Sequence, residues 1–216
     1  MGRTYYRCPR CGSSNTARFI YGYPQYDEEM QRKLDAGKIV LGGCCFPAVE
    51  IEGGVVSLAP DRRCNACKKD FGTPPVLIER KTGAAEDYRD IVTAITLSVG
   101  GFLSGWTKIT IKKNKAGAAV DVLAMRPSVS EDDIVPDRQM TAGEWDKFVD
   151  ILYGKMNLHE WKKRYSIPGV LDGTQWKLEI KMSKGRKRTY EGDNEYPPYW
   201  RALLKVFKEI SGGVKL

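Results

Sequence analysis

Between Trp106 and Lys112 the side chains alternate: Thr107, Ile109 and Ile111 fall on one side, Lys108, Thr110 and Lys112 on the other. A period of two marks a strand with one buried face. Lys113-Asn114-Lys115 supplies a turn, and Ala118 to Met125 returns as a further strand. Ile91 to Val99, rich in Ile, Val and Thr and closed by Gly100-Gly101, reads as the strand before them. The alternation resumes after Asp172-Gly173. Trp176, Leu178, Ile180 and Met182 oppose Lys177, Glu179 and Lys181, and Ser183-Lys184-Gly185 turns the chain into Arg186 to Tyr190.

Two other segments carry a helical period. Thr141 and Glu144 form a capping box, and behind it Trp145, Phe148, Val149, Leu152 and Tyr153 recur on one helical face. Pro197-Pro198 opens a last helix, with prolines in its first turn and a stripe of Trp200, Leu203, Leu204, Phe207 and Ile210. Leu158 to Tyr165 predicts a short helical turn. The order βββαββα predicts an α+β unit over residues 86–216, one antiparallel sheet with helices packed on one face.

Residues 1–72 read differently, as short strands around Gly and Pro. Ala17 to Tyr23 is strand-like, Asp27 to Leu34 a short helix with acids first and bases last, and Lys38 to Leu41 a strand ending at Gly42-Gly43. Glu50 to Leu58 predicts a hairpin turning at Gly53-Gly54. Residues 73–85, with Thr73-Pro74-Pro75 and Gly83-Ala84-Ala85, read as a linker.

The strongest chemical signal lies in the first unit. Cys8-Pro-Arg-Cys11-Gly and Cys64-Asn-Ala-Cys67 are two Cys-x-x-Cys knuckles. Four thiolates so paired can fill the tetrahedron of one structural zinc, leaving no open position for a substrate. The knuckles are farther apart than a minimal ribbon needs, so an N-terminal zinc ribbon with a helical insertion is expected. Cys-Pro-x-Cys-Gly is also compatible with iron in a rubredoxin-like knuckle. The adjacent Cys44 and Cys45 read as buried small hydrophobes, with a reactive thiol pair or second metal site as the alternative.

The chain of 216 residues carries a net charge of +8. Residues 153–216 hold 14 Lys and Arg against 7 Asp and Glu, whereas 81–152 hold 9 against 11. Four bound thiolates would offset about two positive charges in the first unit, so the basic character sits in the last quarter. Such a bias suits nucleic acid or an acidic partner. With no run of 18 apolar residues and no apolar leader at the start, a cytoplasmic protein is expected.

The ribbon motifs, with Gly37-Lys-Ile-Val-Leu-Gly-Gly-Cys44 between the knuckles, resemble a group of uncharacterised bacterial zinc-ribbon proteins. Leu171-Asp-Gly-Thr-Gln-Trp176, Gly192-Asp-Asn194 and Tyr196-Pro-Pro-Tyr-Trp200 are similar to an uncharacterised bacterial C-terminal α+β module. Neither resemblance implies a reaction.

Other candidates are less specific. Lys177, Lys181, Arg186 and Arg188, joined by Lys108 and Lys112, could share the outer face of the sheet with Tyr190, an arrangement that holds single-stranded nucleic acid. His159, the sole histidine, reads as a surface or interface residue rather than a catalytic base. Asp172 and Asp193 read as turn residues, and Asp132, Asp133 and Asp137 as an exposed acidic loop. Tyr196 to Trp200 reads as a helix start, with a recognition surface as the alternative. No phosphate-binding loop, nucleophile elbow or zinc-protease motif is present. The expected function is a non-enzymatic, zinc-stabilised binding protein for a macromolecule, protein slightly ahead of nucleic acid. The alternative is a nucleic-acid-processing enzyme or accessory subunit using acidic residues and a divalent metal. No small-molecule cofactor or membrane partner is implied.

Overall fold

A computed structural model of the chain describes residues 7–45, 48–51, 54–73, 76–78, 85–101, 104–125, 138–167, 173–214 and 216. The protein is α+β with mixed sheets. In the N-terminal unit β1 (Thr16–Ile20) is central. It pairs in parallel with β2 (Ile39–Leu41) and antiparallel with β5 (Arg62–Cys64), which pairs with β6 (Asp70–Phe71). Helix α1 (Glu28–Asp35) makes the crossover from β1 to β2. Asp27 caps it by accepting from the Met30 amide at 2.7 Å, and none of its residues is buried. The hairpin β3 (Ala48–Ile51) and β4 (Gly54–Ser57) pairs separately.

From the stretch expected as a linker, β7 (Val76–Ile78) pairs antiparallel with β8 (Ala85–Asp87), which starts at the last residue of that stretch. Helix α2 (Tyr88–Ile91) leads into a seven-stranded sheet. Its strands are β9 (Val92–Gly101), β10 (Gly105–Asn114), β11 (Gly117–Met125), β12 (Arg138–Thr141), β13 (Arg164–Ser166), β14 (Gln175–Met182) and β15 (Lys187–Asp193), in the spatial order β12-β11-β10-β9-β14-β15-β13. The five strands expected from alternation are joined by two edge strands. β12 and β13 span four and three residues, too few to show a period. β13 runs parallel to β15, so the sheet is mixed rather than wholly antiparallel.

One face of this sheet is covered. Ile95, Leu97, Ile109, Ile111, Leu178 and Ile180 are fully buried there. Helix α3 (Ala142–Asp150) contributes Trp145 and Phe148, and α4 (Trp200–Ile210) contributes Leu203 and Phe207. The capping box forms as expected. The Glu144 amide donates to Thr141 Oγ1 at 3.3 Å, and the Thr141 amide donates to Glu144 Oε2 at 2.8 Å. After α3 the chain makes one π turn over Ile151–Lys155, with Leu152 and Tyr153 buried. Pro197 and Pro198 precede α4 instead of lying in its first turn. Tyr199 stands at its N-cap with φ +70°.

The two units touch through named contacts. Glu160 Oε1 accepts from the amides of Gly72 and Thr73 at 3.0 and 3.3 Å and from Thr73 Oγ1 at 3.2 Å. Tyr199 OH donates to the Arg7 carbonyl at 3.0 Å. Among the described residues no helix is long and apolar enough to cross a membrane.

Candidate metal centre and open sheet face

The two knuckles share one backbone pattern. The Gly12 amide donates to the Cys8 carbonyl at 2.9 Å, and the Lys68 amide to the Cys64 carbonyl at 2.8 Å. Each turn then needs a left-handed residue four positions after its first cysteine: Gly12 at φ +73°, Lys68 at φ +60°. Gly12 meets this at no steric cost, whereas a Cβ there would be strained by about 1 kcal/mol. Gly12→Ala should therefore lower stability by about that much, read as a shift in the denaturation midpoint. The new methyl would sit 3.8 Å from Pro198 Cγ, an ordinary contact, so strain and not collision sets the size.

These turns bring Cys8, Cys11, Cys64 and Cys67 together. Their sulfurs all lie within 4.8 Å of one another, with Cys8 Sγ 3.7 Å from Cys67 Sγ and Cys11 Sγ 3.6 Å from Cys64 Sγ. A tetrahedron with metal–sulfur bonds of about 2.3 Å has edges of about 3.8 Å, so the donor set fits one ion. Burial pushes the Cys8 thiol up to about 12. Burial acts against ionisation of Cys64 too, but hydrogen bonds from the Cys67 amide and the Cys11 thiol outweigh it and bring Cys64 down to about 7. Cys64 is thus the more readily ionised of the two, and a bound cation would draw off the remaining protons. The cluster could hold a single ion and leave it no free coordination position.

Cys44 and Cys45 do not join this cluster. Both are exposed, with their sulfurs 3.6 Å apart, which corrects the expectation of buried thiols. They follow Gly42, whose close approach to the Tyr21 ring leaves no room for a side chain.

The expected basic cluster is divided by strand parity. Leu178 pairs with Tyr190 and Ile180 with Arg188, so Tyr190 and Arg188 point to the covered side, where Tyr190 is buried. Arg186 lies in the turn and binds Glu86 at 2.5 Å. Lys177 and Lys181 remain on the outer face, with Lys108 and Lys112 on the same side. Two rows cross the sheet there: Lys108–Ser98–Lys177, extended by Glu191, and Lys112–Ala94–Lys181, extended by Lys187, with the exposed Asp121 beside Thr110 between them. Glu179 lies between the rows, 3.2 Å from Lys177 and 2.5 Å from Lys187. The Lys187 ammonium, aided by Lys177, holds its carboxyl below the usual range. Lys108, Lys112 and Lys181 have no ion-pair partner among the described residues.

Sequence reasoning passed over Trp106 on this face, although it shares the parity of Lys108, Thr110 and Lys112. Its ring lies over Gly100, where a Cβ would come 2.8 Å from Trp106 Cδ2. Met125 and Leu123, paired with Trp106 and Lys108 on the next strand, are 55% and 52% exposed. The outer face therefore combines an accessible apolar corner with rows of lysine.

His159 is not on the surface. Its side chain is 10% exposed and stands beside the stacked rings of Tyr88 and Tyr153. Among the described residues neither ring nitrogen has a hydrogen-bond partner. Burial, reinforced by Arg188, lowers its pKa to about 4; the nearby Thr73 backbone offsets little of this, without normal hydrogen-bond geometry. Tyr199 and Pro198, in the segment read as a helix start, face the first knuckle. Asp193 lies at the end of β15, its carboxylate accepting from Asn194 at 2.9 Å. Asp132, Asp133, Asp137 and Asp172 lie outside the described residues. Comparison with protein families, with curated proteins and with solved structures found no match.

Proposed function

We propose that this chain is a non-enzymatic binding protein whose N-terminal unit is a zinc ribbon and whose partner, an acidic macromolecule, docks on the open face of the seven-stranded sheet. The observation that carries this reading is the set of three exposed lysines, Lys108, Lys112 and Lys181, without ion-pair partners among the described residues, on the sheet face that no described helix covers. Helices cover the opposite face. Zinc suits the four sulfurs because it accepts tetrahedral thiolate geometry without a redox role. With four protein ligands the ion acts as a clasp, and binding then depends on surface charge and shape.

The reading is tested with immobilised heparin as a generic polyanion. The metal-loaded protein should be retained at low ionic strength and elute as salt rises, because exposed charge pairs are screened within about 10 Å at 0.1 M salt. Lys108→Glu, Lys112→Glu and Lys181→Glu combined should elute at clearly lower salt. All three side chains are exposed, so the variant should fold. An unchanged elution position would remove the open face as the binding surface.

A further inference from the structure

We infer that the open face binds single-stranded nucleic acid, with a base stacked on Trp106 and the backbone phosphates on the lysine rows. This rests on the open-face reading above and names its partner. The first support is the arrangement of charge. Lys108 and Lys177 flank Ser98, and Lys112 and Lys181 flank Ala94, with the small residues on the central strand β9. Strand spacing of about 4.8 Å and a rise of about 3.4 Å per residue place these four ammonium-bearing chains near the corners of a rectangle of about 10 by 13 Å. The central strand forms a low floor between two basic walls. Glu179 stands on one edge; Lys187, at 2.5 Å, holds it, and Lys177, at 3.2 Å, must leave it to meet a phosphate.

The second support is independent of charge. A trough of about 510 Å³ runs beside the first lysine row; Trp106 and Gln175 line it with three bases, Lys108, Lys177 and Arg164, and three acids, Glu179, Glu191 and Asp193, so the indole rather than net charge singles it out. Trp106 closes one side of it. Gly100 lets the indole lie against the sheet, and Trp106 is half-buried, so one ring face packs on backbone while the other is left for a ligand. A flat indole next to ammonium groups is the pairing by which sequence-tolerant proteins hold single strands, since every base has a π-face. Duplex bases are stacked on each other and cannot reach a ring flush with a sheet. An acidic protein segment would use the lysines but has no corresponding need for the ring.

The experiment uses the full, metal-loaded chain and fluorescein-labelled oligothymidylate of about 15 nucleotides, long enough to cross such a face. Binding is followed by anisotropy, in parallel with the matching duplex. The single strand should bind more tightly than the duplex. If all four lysines meet phosphates, log K should fall with log salt at a slope of about −3. Lys108→Ala with Lys177→Ala should reduce that slope by about 1.4. Trp106→Ala should weaken binding about tenfold to a hundredfold, with the salt slope kept. Trp106→Phe, which retains a ring, should recover much of the loss and controls for folding. Equal or tighter duplex binding, or unchanged affinity in Trp106→Ala, would overturn the inference. If heparin retention still depends on the lysines in that case, the open-face reading survives, with a duplex as partner where the duplex binds as well or better and an acidic protein where neither nucleic acid depends on the face. If neither heparin nor oligonucleotide responds to the lysines, both readings fall.

Discussion

Stripping the metal from the purified protein with a chelator at neutral pH should unfold the N-terminal unit and leave the seven-stranded sheet folded. The two units differ in what holds them. In the first, the buried hydrophobic side chains among the described residues are Cys8, Ala17, Phe19, Cys64 and Phe71, and two of these five are ligands of the proposed zinc. They contribute about 8 kcal/mol before chain entropy is counted. A structural zinc contributes on the order of 10 kcal/mol, so loss of the ion removes the greater part of what holds this unit together. The second unit buries Trp145, Trp176, Phe148, Phe207 and many aliphatic residues without help from the cysteines.

The sequence supplies a convenient readout. All five tryptophans, at 106, 145, 161, 176 and 200, lie in the second unit. Chelation should change tryptophan emission only slightly, while residues 16–71 become open to protease. Cys64→Ser should reproduce the effect, and Cys45→Ser, at an exposed thiol outside the cluster, should not. Metal analysis before chelation should find one zinc per chain. Protease resistance that persists after complete metal loss would contradict this picture.

Much of the second unit is legible in the chain because its strands are long and half-buried. Residues 107–112 of β10 alternate without a break, and the structure buries Ile109 and Ile111 while exposing Lys108 and Lys112, as that pattern requires. The knuckles are legible because Cys-x-x-Cys encodes a local turn that survives any tertiary context. What fails is whatever depends on register or on distant neighbours. Arg188 and Tyr190 share a parity with each other, but only the pairing of Leu178 with Tyr190 shows that it is the covered side. Cys44 and Cys45 look apolar, yet both are exposed, and nothing local in their sequence marks that. His159 sits in a polar-looking stretch, and Tyr88, about seventy positions earlier, buries it. Trp106 could have been found from parity alone, since it continues the lysine-bearing side of β10 by one step.

The buried histidine leads to the second large effect. Between pH 7 and pH 5 the protein should lose about 2 kcal/mol of stability through His159. Its folded pKa of about 4 lies below the ordinary 6.5, so over this range the unfolded chain takes up a proton that the native ring refuses. Stability is therefore complete above about pH 6.5, declines as pH falls, and levels off below about 4, after a total loss of about 3 kcal/mol at 1.36 kcal/mol per pH unit. The surroundings fix the sign. Arg188 faces the ring as a cation, and Tyr88 and Tyr153 stay neutral throughout this range, their pKa values raised by burial. Glu160, 3.6 Å from Nε2, works the other way: burial raises its pKa, so its proton uptake favours the folded state as pH falls. The depressed carboxyls of Glu86, Asp87, Glu144 and Glu179 add acid lability only below their ordinary values near 4. His159→Phe separates these contributions. It removes two buried nitrogens that lack partners, so the variant should be at least as stable at pH 7. Urea titrations at pH 7 and pH 5 should then differ by about 2 kcal/mol less in the variant than in the parent, or change sign if Glu160 dominates. A variant that keeps the full parental loss would place the acid sensitivity elsewhere. Because Glu160 also accepts the Gly72 and Thr73 hydrogen bonds, the same pair connects proton uptake in the second unit to the exit of the first.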